Sequence, residues 1–145
     1  MKNSIQYLGV LVAALILSST ARVAMAEAVV IVAAGSPITA LTAEQVGELF
    51  LGRTSSFPSG SAATPIDQTD GSAVREEFYT KVVNKSGAQV KAYWAKIVFT
   101  GKGQPPKDAG DSAGVKKAVA ANPAAVGYVD KNVVDGSVKI VLDLH

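Results

Sequence analysis

The residues best suited to ligand chemistry lie where a polar turn leads into a helix. Asp70, Gly71 and Ser72 are residue types that favour turns and helix N-caps. The first backbone N–H groups of a helix have no internal acceptor and lie at the positive end of its dipole. We therefore expect a small oxyanion to bind the backbone N–H groups at this helix start, those of Gly71, Ser72, Ala73 and Val74.

Charged side chains near this turn allow two interpretations. Asp67 and Asp70 can form a carboxylate pair for acid–base catalysis or for a hard cation, although acids that flank a turn are more often solvated caps. Arg53 and Arg75 are the only arginines after residue 26. Either can pair with an oxyanion through its planar guanidinium, and either can be an ordinary surface residue.

The remaining side-chain inventory argues against an enzyme. The sequence has no cysteine, and its single histidine, His145, is the last residue. Ser-His and Cys-His nucleophile systems and zinc sites built from His or Cys are therefore not expected. The Gly101-Lys102-Gly103 segment lacks the spacing of a phosphate-binding loop and precedes two prolines, which favours a surface turn. We expect no catalysis, no cofactor and no metal.

The N-terminal segment has the pattern of a secretory signal peptide. Lys2 gives a positive start, residues 8–17 are apolar, and Ala24-Met25-Ala26 supplies a small-residue cleavage site. The apolar run is shorter than the ~20 residues that span a bilayer. We expect cleavage before Glu27 and export to the periplasm or the medium. Residues 27–145 then form one domain without disulfides.

The charge balance gives no sign of a polyanionic partner. The sequence has 14 basic and 12 acidic residues, and loss of residues 1–26 removes Lys2 and Arg22, which leaves the exported chain formally neutral. No basic run is longer than Lys116-Lys117. We therefore expect no nucleic acid and no acidic membrane surface among the partners.

Hydrophobic patterning predicts an α/β fold with a small, largely covered sheet. Short apolar runs rich in β-branched residues predict strands over residues 28–34, 65–67, 125–129 and 138–142. Amphipathic segments that follow N-cap residues predict four helices between them. These helices begin after Thr42, Ser72, Ser86 and Asp111 and end near Phe50, Val83, Val98 and Asn122.

Two aromatic residues in the third predicted helix have two readings. Tyr93 and Trp94 can stack on a sugar or a base. Their helical spacing with Val90 and Ile97 places at least one of them in the core instead.

Several segments, taken in order, resemble the phosphate-binding component of bacterial phosphate ABC transporters. They are residues 41–53, the Asp70-Gly71-Ser72 turn and residues 125–129. Residues 93–106 resemble small stand-alone relatives that have a periplasmic-binding-protein-like domain. The resemblance implies a single lobe of the type II periplasmic-binding-protein fold, a small mixed sheet with helices packed on it.

The resemblance also implies a site and partners. In that family an Asp-Gly-Ser-Gly-Thr turn and a nearby arginine hold phosphate at a helix start. Here Ala73 and Val74 occupy the last two turn positions, Gln68 stands where the family has arginine, and Arg75 follows one turn later. The predicted ligand-binding residues are Gln68, Asp70, Gly71, Ser72, Ala73, Val74 and Arg75, and the predicted ligand is phosphate or a similar oxyanion.

The full proteins of that family close two lobes around the ligand, whereas this chain resembles one lobe. A lone lobe leaves the anion in contact with water, which weakens its hydrogen bonds. The expected protein partners are a membrane transporter or sensor and a second copy of the chain. The alternative function is an interaction or sensory module that kept the fold without tight phosphate binding, and the departures at Gln68 and Val74 favour it.

Overall fold

A computed structural model describes residues 26–145. The signal-peptide prediction for residues 1–26 lies almost wholly outside the described residues. No helix of the described range is long and apolar enough to cross a bilayer. The strands are β1 (Ala28–Ala33), β2 (Thr64–Asp67), β3 (Lys107–Asp108), β4 (Ala125–Asp130) and β5 (Val138–Asp143). The helices are α1 (Ala43–Phe50), α2 (Ala73–Val83), α3 (Gly87–Phe99) and α4 (Ser112–Ala120), and Lys131–Val133 forms a 3-10 turn.

The five strands form one mixed sheet in the order β3-β2-β4-β1-β5. Strand β2 runs parallel to both β3 and β4, whereas β1 runs antiparallel to β4 and β5. Helices cover both faces of the sheet. The predicted fold class, an α/β lobe with a small mixed sheet, is confirmed.

The central strand β1 explains why its sequence is continuously apolar. All six of its residues are buried. Alternate side chains point to opposite faces of a strand. Ala28, Val30 and Val32 therefore join the core beneath α1, α2 and α3, while Val29 and Ile31 join the core beneath α4.

Helix starts follow the N-cap residues that the sequence predicts. Thr42 with Gln45 and Ser86 with Gln89 form reciprocal capping boxes at the starts of α1 and α3. Ser72 and Asp111 cap α2 and α4. Each cap satisfies an N–H group that the helix itself leaves without an acceptor, so the four predicted helices are confirmed.

The structure also contains two elements that the sequence did not predict. Strand β3 has only two residues and extends the sheet beside β2, and the 3-10 turn follows β4 directly. Neither is long enough to show hydrophobic periodicity.

The two aromatic residues of α3 contribute to the packing of the protein. Trp94 is buried in the core, and half-buried Tyr93 donates its hydroxyl to the Leu51 carbonyl at 2.7 Å. This confirms the prediction that at least one of them belongs to the core.

Candidate anion site

The predicted Asp70-Gly71-Ser72 turn lies beside the carboxyl ends of three parallel strands, at what is called here the ligand edge of the sheet. The carboxyl ends of β2, β3 and β4 meet there because β2 is parallel to both neighbours. Helices α2 and α4 both begin at this edge, after β2 and β3 respectively. In open α/β sheets this edge is where ligands bind, and helix N-termini there present N–H groups to anions.

The start of α2 has N–H groups available to a ligand. Gly71 adopts φ +87°, a left-handed conformation that glycine accepts at low cost, and it turns the chain into the helix. The Ser72 hydroxyl accepts from the Arg75 N–H at 3.1 Å, and the Ser72 N–H donates to the Thr69 carbonyl at 3.4 Å. Three of the four predicted N–H donors have no acceptor among the described residues, those of Gly71, Ala73 and Val74.

Gln68 is buried and forms hydrogen bonds within the protein. Its Nε2 donates to the Tyr128 carbonyl at 2.9 Å and to Ser112 Oγ at 3.1 Å, and its Oε1 accepts from the Ser72 hydroxyl at 2.9 Å. The same Ser112 hydroxyl accepts from the Asp130 N–H. Gln68 thus links the start of α2 to the start of α4 and to β4. In this arrangement it fixes the position of the Ser72 cap.

Asp67, the last residue of β2, is the centre of a buried polar network. Its carboxylate accepts from Tyr79 Oη at 2.7 Å, from Tyr128 Oη, and from the Gln68 N–H at 2.8 Å. Burial, followed by the negative charge of Asp67, raises the pKa of both Tyr79 and Tyr128. Both hydroxyls therefore remain protonated donors, which satisfies a carboxylate that is costly to bury unpaired.

Arg75 is also buried, on the side of α2 that faces α3. Its guanidinium lies over the Tyr79 ring, 4.9 Å from the centroid, and its Nη1 donates to Asp70 Oδ1 at 3.3 Å. Its Nε lies 3.5 Å from Asp67 Oδ1 and has no hydrogen-bond acceptor within residues 26–145. Asp70 is exposed and also lies 3.6 Å from Lys91 Nζ. The Arg75 charge is therefore shared between two carboxylates beside the turn.

Other candidates from the sequence lie away from this turn. Arg53 is exposed and pairs with Glu48 of α1, and the Glu48 carboxylate raises the pKa of its guanidinium. His145 contacts Glu77 on α2. Lys102 lies in an exposed turn after α3. Residues 26–145 contain no group of three or more His, Asp or Glu side chains placed to hold a metal ion.

Sequence reasoning missed the partners that hold the site together. Tyr79 and Tyr128 belong to helix and strand patterns, where they count as apolar, yet both donate hydroxyls to Asp67. Ser112, the first residue of α4, accepts from Gln68 and from the Asp130 N–H, two contacts that no spacing in the sequence indicates. A buried tyrosine usually finds a hydrogen-bond partner. Applied to Tyr79, that rule would have prompted a search for a nearby acceptor such as Asp67.

Comparison with known proteins gives matches in structure and none in sequence. No protein-family model matches the chain, and no curated protein matches it in a sequence search. One matched structure is described as a phosphate ABC transporter substrate-binding protein from Clostridium perfringens with bound phosphate. It superposes on this chain with a TM-score of 0.65 at 22% sequence identity. The chain has a periplasmic-binding-protein-like fold.

Two further structures share this periplasmic-binding-protein-like fold. An ABC-type phosphate transport receptor from Vibrio cholerae has a TM-score of 0.62 at 19% identity, and PstS from Borrelia burgdorferi has 0.60 at 14%. The three matches cover 80–81% of this chain but only 44–47% of the matched chains. The chain therefore spans less than half the length of these proteins, which corresponds to one lobe of the fold. The Clostridium and Vibrio proteins are described as a substrate-binding protein and a transport receptor, not as enzymes.

Proposed function

We propose that this chain is an exported, non-enzymatic phosphate-binding lobe that works with a membrane transporter or sensor. The observation that carries the proposal is the start of α2, where the N–H groups of Gly71, Ala73 and Val74 lack acceptors among the described residues. They lie at the edge where open α/β sheets generally bind ligands. The fold adds support because the Clostridium perfringens protein that shares it was solved with bound phosphate. The proposed location is the periplasm, after cleavage of residues 1–26.

Backbone N–H groups supply the binding energy in this proposal. They point along the dipole of an eleven-residue helix, which favours a negative charge at its N-terminus. Alanine and valine retain the N–H groups that the family's turn uses, although Val74 lacks the hydroxyl of a threonine. Gln68 and Arg75, as the structure holds them, position this turn through Ser72 and Asp70.

Asp70 gives the proposed site a means to prefer phosphate over sulfate. Its exposed carboxylate adjoins the N–H groups, and Arg75 and Lys91 hold it in place. A monoprotonated phosphate can donate its hydroxyl to this carboxylate. Sulfate has no such hydrogen near neutral pH, so it meets only repulsion there.

The interaction module remains the second candidate, and two observations favour it. The Ser72 hydroxyl is already committed to Gln68, so it is not free to donate to an anion. Phe99 at the end of α3 is 92% exposed, with exposed Val98 beside it. Apolar side chains this exposed favour contact with a protein partner. Under this hypothesis the chain docks a membrane protein and binds phosphate weakly or not at all.

Substitution of Ser72 tests the phosphate site. Ser72→Asp keeps a good N-cap but places a carboxylate among the N–H donors, whereas Ser72→Asn keeps the cap without the charge. We expect Ser72→Asp to weaken phosphate binding by at least about tenfold relative to Ser72→Asn, since like charges repel at this short range. Calorimetric titration measures both affinities. Equal phosphate affinities for the two variants would show that the site lies elsewhere.

A further inference from the structure

Positive charge is concentrated in one stretch of the chain. Residues 78–107 contain six lysines and no acidic residue, whereas the rest of residues 27–145 has six basic and twelve acidic residues. The expectation of no acidic membrane surface rests on the neutral total and on the absence of long basic runs. Neither of these describes how charge is distributed over a folded surface. The six lysines are Lys81, Lys85, Lys91, Lys96, Lys102 and Lys107.

Helix α3 lies within this stretch and has an apolar outer face. Its inner face packs Val90 and Trp94 into the core. On the opposite side, four apolar residues recur at intervals of four, three and four positions, which places them on one face of the helix. All four are exposed, and they are Ala88, Ala92, Ala95 and Phe99. Phe99 is 92% exposed and the adjoining Val98 is 42% exposed, so residues 26–145 leave this face uncovered.

Exposed lysines lie on either side of Phe99 in the chain. Lys96 precedes Phe99 by three residues on α3, and Lys102 follows it by three residues in a turn. This turn returns to α3, because the Lys102 N–H donates to the Ile97 carbonyl at 3.1 Å. Neither lysine forms an ion pair within residues 26–145, whereas Lys91, nearer the start of α3, pairs with an aspartate. The end of α3 therefore combines an exposed aromatic ring with two unpaired positive charges.

The charge and shape of this face favour a lipid surface over a protein. A two-fold contact between two copies would bring together two basic segments that have no acidic residue of their own, and like charges repel. A protein partner would need a pocket for Phe99, which lies at the end of the face, whereas the anchors of protein interfaces lie near the centre. A bilayer needs no such fit. An aromatic ring enters the boundary between head groups and acyl chains, and neighbouring lysines reach anionic head groups.

We infer that the outer face of α3 docks on an anionic lipid bilayer. Phe99, with Val98 beside it, enters the boundary between head groups and acyl chains, and Lys96 and Lys102 pair with lipid phosphates. The inference is independent of phosphate binding at α2. Under the interaction module this face would contact a membrane protein, whereas here it contacts the lipid itself.

Vesicle binding tests this inference. Residues 27–145 are mixed with vesicles of phosphatidylcholine that contain the anionic lipid phosphatidylglycerol, and the bound fraction is measured by sedimentation. Vesicles of phosphatidylcholine alone are the uncharged control. We expect binding to the anionic vesicles to be at least about tenfold stronger, since each lysine near an anionic surface contributes about fivefold.

Charge reversal at Lys96 tests the electrostatic part. Lys96 is exposed, so Lys96→Glu leaves the core intact and is expected to weaken binding to anionic vesicles at least about tenfold. Lys117→Glu is the matched control, because it makes the same charge change at an exposed position of α4. Helix α4 packs on the opposite face of the sheet from α3. We expect Lys117→Glu to retain most of the binding.

Exchange of Phe99 tests the apolar part. Phe99→Ser removes the ring and is expected to weaken vesicle binding at least about tenfold. Phe99→Trp keeps an aromatic ring and adds a fluorophore at the proposed point of insertion. We expect the emission of this variant to move to shorter wavelength on addition of anionic vesicles. The unaltered protein, whose only tryptophan is the buried Trp94, is the blank.

Four outcomes overturn the inference. They are no binding to anionic vesicles, equal binding to uncharged vesicles, an equal loss from Lys96→Glu and Lys117→Glu, and no shift in the emission of Phe99→Trp. The first would leave an acidic protein as the partner of this face. A dimer in sedimentation equilibrium that Phe99→Ser dissociates would assign the face to a second copy and also overturn the inference. None of these results bears on the phosphate site, which is judged by calorimetry on the Ser72 variants.

Discussion

Tyr79 donates its hydroxyl to Asp67 Oδ2 at 2.7 Å and so ties the middle of α2 to the end of β2. Tyr128 of β4 donates to the other oxygen of the same carboxylate. The two tyrosines, one on α2 and one on β4, therefore fix the end of β2. The Asp70-Gly71-Ser72 turn begins just after that strand end. The geometry of the helix start depends on this buried network.

Removal of the Tyr128 hydroxyl is expected to destabilise the protein. Tyr128→Phe keeps the ring, which stacks on Phe78 at 3.9 Å between centroids, but leaves Asp67 with one donor fewer in a buried site. We expect a loss of ~1–3 kcal/mol in the free energy of unfolding, measured by urea denaturation.

Tyr93→Phe is the matched control for that measurement. Its hydroxyl donates to the neutral Leu51 carbonyl at a half-buried position, so its loss is expected to cost less, ~0.5–1.5 kcal/mol. An equal cost for the two variants would argue that the Asp67 network contributes no more than an ordinary hydrogen bond.

The same network predicts loss of stability at alkaline pH. The pKa of Tyr79 and of Tyr128 is raised in the folded protein, so above the ordinary tyrosine pKa of ~10 the unfolded chain releases protons that the folded chain keeps. Each tyrosine then removes ~1.4 kcal/mol of stability per pH unit. Below pH ~10 both states hold the protons, and these two groups cause no pH dependence.

Urea denaturation between pH 9 and pH 11.5, a range set about the tyrosine pKa of ~10, measures this slope. Tyr128→Phe is expected to lose about half of the slope that the two buried tyrosines cause. A slope that is unchanged in Tyr128→Phe would mean that this hydroxyl ionises in the folded protein as readily as in the unfolded chain.

Gly127 allows α4 to approach the sheet closely. A Cβ atom at this position of β4 would lie 2.6 Å from a Val115 methyl and 3.0 Å from a Val119 methyl. We expect Gly127→Ala to destabilise the protein by ~1–3 kcal/mol, since the overlap forces backbone or rotamer shifts. Gly136→Ala, where no atom lies within 4 Å, is the control and is expected to cost nothing or to stabilise slightly.

The parts of the fold that depend on local interactions were predictable from the sequence. Ser86 and Gln89 lie three residues apart and bond each other, so the start of α3 is visible in the sequence. The β-branched run of β1 likewise indicates a strand buried on both faces. Such signals act within one turn of helix or one strand, and a single sequence contains them completely.

The site was only partly predictable because its contacts are remote in sequence. The turn and the cap at Ser72 were predicted, but Tyr128 lies 61 residues from Asp67, and Ser112 lies 44 from Gln68. No spacing rule connects such residues before the strand order is known. The anion-binding roles of the seven proposed residues, including Gln68 and Arg75, stay predictions.

The most direct test of the account is calorimetric titration of residues 27–145, the chain expected after signal-peptide cleavage, with phosphate and with sulfate at low and moderate salt. We predict saturable phosphate binding that exceeds sulfate binding and persists at moderate salt, because fixed N–H donors and Asp70 select the protonated anion. Absence of heat, or weak and salt-sensitive binding of both anions alike, would contradict the account and favour the interaction module.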